Sequence, residues 1–176
     1  MPSALTHATF CVERVYDASP ARVFHAFTDR DARMRWFFKT DSWSLHEHSG
    51  GDVSVGKTES SRFSPPGAEV IITNDSVYLD VVPNERVIFA YAMTLGGAPL
   101  SSSLSTAEFR PEGKGTRLVF TEQGVYLDGN VSGRIEGSEA FLVTLEEELA
   151  RGGEPPHLIF TRYGPACPGH DGVGVF

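Results

Sequence analysis

The stretch DASPARVFHAFTDRDARMRWFF, residues 17–38, decides how the rest of the chain is read. Ser19 stands where a helix needs a side-chain oxygen to accept from its first free N–H groups. Pro20 follows at the first helical position, where a missing N–H costs nothing. Ala21, Val23, Phe24 and Phe27 then fall on one helical face. Asp29 is placed to cap a second short helix, which ends on Trp36, Phe37 and Phe38. Two short helices closing on three aromatics form a lid or wall over a cavity.

Working outward, residues 8–17 read as a first strand with Val12, Val15 and Tyr16 as packing residues. From about residue 42 to 126 the pattern is β, with strands predicted at 42–48, 51–60, 68–82, 85–95, 100–110 and 116–127. The boundaries carry turn residues: Ser49-Gly50-Gly51, Pro65-Pro66-Gly67, Pro83-Asn84, Gly96-Gly97 and Pro111-Glu112-Gly113. That is the punctuation of a hairpin-connected antiparallel sheet. The run 73–76 (TNDS) is a place where the third of these strands could bend or break. Alternation puts Val87, Phe89, Tyr91 and Met93 on one strand face and Ile88, Ala90 and Ala92 on the other. With both faces apolar, one is expected on the core and the other against a second copy in a homodimer. Leu118, Phe120 and Glu122 share a face of the last strand.

Residues 132–151 read as a long helix, with Ile135, Phe141, Leu142, Leu145 and Leu149 as its apolar stripe. Glu146, Glu147 and Glu148 read as a solvated flank, and Gly152-Gly153 ends the helix. The remainder, 152–176, is a Gly/Pro-rich tail with too much of both for a regular element, either disordered or folded against the domain through Leu158, Ile159, Phe160 and Tyr163. A single domain over 1–151 followed by this tail accounts for the whole chain.

The bulk numbers narrow the partners. The chain has 176 residues, 40% of them hydrophobic, and a formal net charge of -8. It is large enough to bury a sizeable core, and its charge opposes nucleic acid, which needs clustered cations. No apolar run approaches the ~20 residues of a membrane span, and the start lacks a signal-peptide pattern. The only two cysteines, Cys11 and Cys167, make neither a disulfide framework nor a zinc site. A reduced, cytoplasmic protein with no cofactor is the expectation.

Strand, two short helices, six strands and a long helix is the helix-grip order. The chain resembles the START-like (Bet v 1-like, SRPBCC) superfamily, and within it the bacterial AHSA1-like branch, related to the activator of the Hsp90 ATPase. ERVYDASPARVFHAFTD at 13–29, RWF at 35–37, YLDVVPNERVIFAYAM at 78–93 and GTRLVFTEQGVYLDG at 115–129 carry the resemblance. It implies an α+β fold: a curved antiparallel sheet of about six to seven strands around the C-terminal helix, with the two short helices after the first strand. Members range from ligand carriers to cyclases and co-chaperones, so the resemblance sets the fold and leaves the activity open. Gly137-Ser138 departs from the Gly-Trp pair common early in the last helix, and the tail lies outside the family pattern.

In this fold sheet and helix enclose an apolar cavity. The candidate wall is Trp36, Phe37, Trp43, Phe63, Tyr78, Phe89, Tyr91, Met93, Phe109, Phe120 and Phe141, with Trp36 and Phe37 at the mouth. Aromatics with methionine suit a flat, greasy ligand. Glu122 is the polar residue expected inside, to orient a ligand or serve as an acid or base beside Tyr91 or Tyr126. His46 and His48 share a strand face, but no third metal ligand stands nearby, and no metal site is expected. Three functions follow in order: binding of a hydrophobic or aromatic small molecule, an enzyme of cyclase/aromatase or hydrolase type in the same cavity, and a co-chaperone-like protein-binding domain. The last ranks lowest because no separate partner-binding domain precedes this one.

Overall fold

A computed structural model of the chain describes residues 5–38, 43–151 and 162–164. The chain enters as β1 (Thr6–Tyr16), followed by α1 (Pro20–Thr28) and α2 (Arg30–Trp36). Ser19 caps α1 by accepting from the Arg22 N–H, and Asp29 caps α2 by accepting from Ala32 at 2.8 Å. Then come β2 (Ser44–Ser49), β3 (Thr58–Ser64), β4 (Ile72–Val82), β5 (Arg86–Leu95), β6 (Ala98–Glu112) and β7 (Gly115–Tyr126). The long helix α3 (Val131–Ala150) is capped by Asn130, whose side chain accepts from the Gly133 N–H at 3.0 Å. A short β8 (Arg162–Gly164) ends the described chain.

The strands form one antiparallel sheet in the order β2-β3-β4-β5-β6-β7-β1-β8. The long meander thus returns β7 alongside β1, with Phe10 opposite Glu122 and Val12 opposite Phe120. The sheet curves around α3, which presents Leu142, Leu145 and Leu149 to it. These meet Val12, Tyr16, Val23, Trp36, Phe109, Leu118 and Phe120 in one buried core. Tyr16 also donates to the Leu142 carbonyl at 2.9 Å, pinning the middle of α3 to β1. The chain has the α+β helix-grip fold.

Some expectations need correction. The second β segment begins at Thr58, not at 51, and runs on to Ser64. Gly51 and Gly56 adopt φ of 100° and 82°, which a regular strand does not allow. Gly56 instead donates to the Tyr78 carbonyl at 2.8 Å from within a turn. The run 73–76 lies unbroken in β4, whose register slips later, between Tyr78 and Asp80. The tail was expected to hold no regular element, yet β8 pairs with β1, Gly164 opposite Cys11. Cys11 is disulfide-bonded rather than reduced, and the only other cysteine of the chain, Cys167, lies outside the described residues. Of the glutamates read as a solvated flank of α3, Glu147 is exposed, but Glu146 and Glu148 are not simply solvated. Glu146 pairs with Arg14 of β1, and Glu148 pairs with Arg35 of α2 at 2.5 Å, so both tie the helix to its cradle.

The outward row of β5 is Ile88, Ala90 and Ala92, with Leu79 and Leu104 exposed. This is the surface the alternation pattern offered to a second copy. No described helix is long and apolar enough to cross a membrane.

Candidate functional site

Antiparallel pairing stacks the inward residues of the strands in rows. Phe89 of β5 lies beside Tyr78 of β4, and Tyr91 lies between Ser76 and Ser103. Between this face and α3 is a cavity of about 370 Å³. Of the predicted wall, Phe37, Trp43, Tyr78, Phe89, Tyr91, Met93, Phe120, Glu122 and Phe141 line it. Phe63 lines an adjoining cavity of about 300 Å³, which shares Phe37, Phe38, Trp43 and Phe141 with the first. Phe120 meets Phe141 edge-on at 5.0 Å between centroids and Phe37 meets Phe141 edge-on at 5.8 Å, while Phe89 and Tyr91 stack.

Two predicted residues stand elsewhere. Trp36 is 2% exposed and donates its indole N–H to the Ala26 carbonyl at 2.7 Å. It packs behind Phe27, Phe37 and Phe141, so it buttresses the wall where the sequence placed it at the mouth. Phe109 lies in the core edge-on to Phe24 and Phe27. Both are therefore core residues behind the wall and do not line the cavity.

The cavity has two polar ends. At one, Arg33 of α2 forms two hydrogen bonds to Glu59 of β3, at 2.8 and 2.6 Å. His48 contacts Glu59 Oε1 at 2.9 Å and Tyr78 donates to Oε2 at 2.7 Å. The carboxylate's four acceptor positions are thereby filled. Burial pushes the Glu59 carboxyl up, but the Arg33 charge and these hydrogen bonds outweigh it and hold the group below the usual range. The Arg33 guanidinium also lies 5.2 Å from the Phe37 ring centroid and 5.8 Å from that of Phe38. The end of α2 is thus held over the cavity by charge as well as by packing.

At the other end, Glu122 is 1% exposed. It accepts from Tyr91 at 2.7 Å on Oε2, and from Ser103 at 2.8 Å and Tyr126 at 2.9 Å on Oε1. Burial, followed by the neighbouring Glu122 charge, raises the pKa of both tyrosines well above the ordinary phenol value. Both therefore stay protonated donors at neutral pH. Arg134, in the first turn of α3, reaches the same end and donates to Ser101 at 2.9 Å and to the Met93 sulfur.

Sequence reading missed Arg33, Glu59 and Arg134, and weighed His48 only as half of a metal pair. His46 and His48, read together as a strand-face pair, go to separate partners, Ser64 at 2.6 Å and Glu59 at 2.9 Å. The available signal for Glu59 was its spacing from Ser61 and Phe63, which puts all three on one strand face, though that pattern is shared with solvent-facing strands.

Comparison with known proteins agrees with the fold. Residues 17–150 match the family model of the Activator of Hsp90 ATPase homolog 1-like proteins. An uncharacterised protein from Rhizobium leguminosarum is 38% identical and superposes with a TM-score of 0.78, over 84% of this chain and 97% of that one. A protein from Rhizobium loti is 43% identical with a TM-score of 0.75, over 82% and 99% of the two chains. A protein from Chromobacterium violaceum, at 23% identity and a TM-score of 0.66, covers 78% of this chain and 94% of its own and shares the fold. No curated protein matches. By its family match and by these relatives, the chain belongs to the Activator of Hsp90 ATPase homolog 1-like family.

Proposed function

We propose that this protein binds a flat hydrophobic or aromatic small molecule in the cavity between sheet and α3. The observation that carries this reading is an aromatic wall ending on one buried carboxylate, Glu122, that three hydroxyls hold in place. Phe89, Phe120 and Phe141 supply apolar surface, and Glu122 supplies orientation. A volume of about 370 Å³ lies within the range of small-molecule sites.

Binding is favoured over turnover. An acid or base needs a proton it can exchange near neutral pH, whereas Tyr91 and Tyr126 hold theirs to high pH and already donate to Glu122.

Native mass spectrometry and thermal shift with a panel of apolar aromatics test the reading. A ligand at a hundred times its Kd adds about 2.7 kcal/mol to the folded state. Gly137 borders both cavities, and a side chain there would meet open space. Gly137→Trp should therefore fill the cavity and remove the shift while the protein stays folded. If no aromatic in the panel shifts or co-purifies with the wild-type protein, the reading fails. An enzymatic role would instead require Glu122→Gln to retain binding and lose turnover.

A further inference from the structure

We propose that the Glu122–Arg134 end of the cavity selects an uncharged aromatic ligand bearing one hydroxyl and one carbonyl, the hydroxyl donating to Glu122 and the carbonyl accepting from Arg134. This rests on the cavity being the ligand site.

Counting hydrogen bonds carries the inference. A carboxylate has about four acceptor positions. Glu122 fills two on Oε1, with Ser103 and Tyr126, and one on Oε2, with Tyr91. One position on Oε2 is left, on a side chain that borders the cavity. It can be filled only by a donor.

Arg134 presents the opposite need. A guanidinium has five N–H donors, and among the described residues the acceptors of Arg134 are two neutral atoms, Ser101 Oγ and Met93 Sδ. Among the described residues it forms no ion pair, and it lies beside the rings of Tyr126 and Tyr91, 5.8 and 6.0 Å from their centroids. Its remaining N–H groups are free to donate to an acceptor in the cavity, which it lines.

Spacing follows from the strand that holds both groups. Ser103 binds Glu122 and Ser101 binds Arg134. Two residues apart on one face of β6, their Cα atoms are separated by about 6.5–7 Å. A donor and an acceptor carried on one ring, as in a meta pair, suit that spacing.

Charge argues for a neutral ligand. A carboxylate drawn to Arg134 would meet Glu122 and, at the exposed rim, Asp128; an ammonium drawn to Glu122 would meet Arg134. The far end offers neither choice, since Arg33 already neutralises a Glu59 whose acceptors are all taken.

The test measures affinities, by ligand-observed NMR and calorimetry, of ethylbenzene, meta-ethylphenol, acetophenone, meta-hydroxyacetophenone, meta-hydroxybenzoate and meta-hydroxybenzylammonium. meta-Hydroxyacetophenone should bind best, about tenfold tighter than either the phenol or the ketone alone, as expected for one added hydrogen bond to a charged group. Arg134→Met should collapse the ratio between ketone and non-ketone pairs, and Glu122→Gln should reduce the ratio between phenol and non-phenol pairs. Arg134 is half-buried on the helix surface, so its variant remains informative if Glu122→Gln fails to fold. Tighter binding of the benzoate or the ammonium, or wild-type ratios near one, would overturn the proposal while ethylbenzene binding preserved the cavity reading. Failure of all six to bind would overturn both.

Discussion

Replacing Arg33 by methionine should cost this protein about 3–5 kcal/mol, the range seen when one partner of a buried ion pair is removed. Arg33 and Glu59 are each 6% exposed, and joined at 2.8 and 2.6 Å. The loss is not the worth of the pair. It is the penalty of leaving the Glu59 carboxylate in the interior with Tyr78 and His48 as its remaining partners. For a chain of this length 1 kcal/mol moves Tm by about 2–4 °C, so the variant should melt roughly 10 °C lower.

The pH dependence has a definite sign. In the wild type the Glu59 carboxyl is held low, so its contribution is complete above the unfolded carboxyl pKa of about 4.3 and is lost as pH falls through the folded value. In Arg33→Met burial acts with less opposition and raises the same carboxyl. Protonation then relieves the variant, and the gap to wild type should narrow between neutral pH and about pH 4.5. Urea unfolding followed by circular dichroism at both pH values measures this. Arg33→Met combined with Glu59→Leu should recover most of the loss, because no charge is left unpaired. A single-variant loss under about 1 kcal/mol, or a double variant no more stable than the single, would refute the reasoning.

Three further outcomes are expected. Leu145→Ala removes a side chain with 0% exposure from the contact of α3 with the sheet and should cost about 2–5 kcal/mol in urea unfolding. Gly137→Ala adds a methyl in open space within α3 and should stabilise by about 0.5–1 kcal/mol, readable as a rise in Tm. Tyr16, Tyr78, Tyr91 and Tyr126 all have raised pKa values, mainly through burial. Their folded forms keep protons that the unfolded chain releases near pH 10, so stability should fall as pH rises above 10. Ultraviolet titration should show these phenols ionising together with unfolding, and separate ionisation of all four in the folded state would contradict it.

The parts of this fold legible in the sequence are those with local causes. Ser19 and Asp29 announce their helices because a cap needs only a side-chain oxygen and the next free N–H groups. Phe89, Tyr91 and Met93 announce an inner face because strand alternation is a property of the strand itself. β3 was mislocated because the glycine conformations that delay it, at Gly51 and Gly56, are decided partly by a bond to Tyr78 from another strand. Trp36 shows the same limit: its aromatic face is local, but its place behind Phe37 and Phe141 depends on where α3 lies.

The polar ends of the cavity mark the boundary most clearly. Glu122 could be suspected from its strand face with Leu118 and Phe120, since a carboxylate following two core residues in alternation points inward. Glu59 could not, because Ser60, Ser61 and Arg62 beside it read as well for a wet strand; Arg33, arriving from a helix, makes its burial tolerable. Nor could alternation reveal that one carboxylate is saturated and the other is not. The difference depends on which donors arrive: two from a guanidinium with His48 and Tyr78 for Glu59, three hydroxyls for Glu122. Sequence can therefore identify a carboxylate inside a container, but its spare hydrogen-bonding capacity, on which ligand choice depends, is a property of the assembled strands.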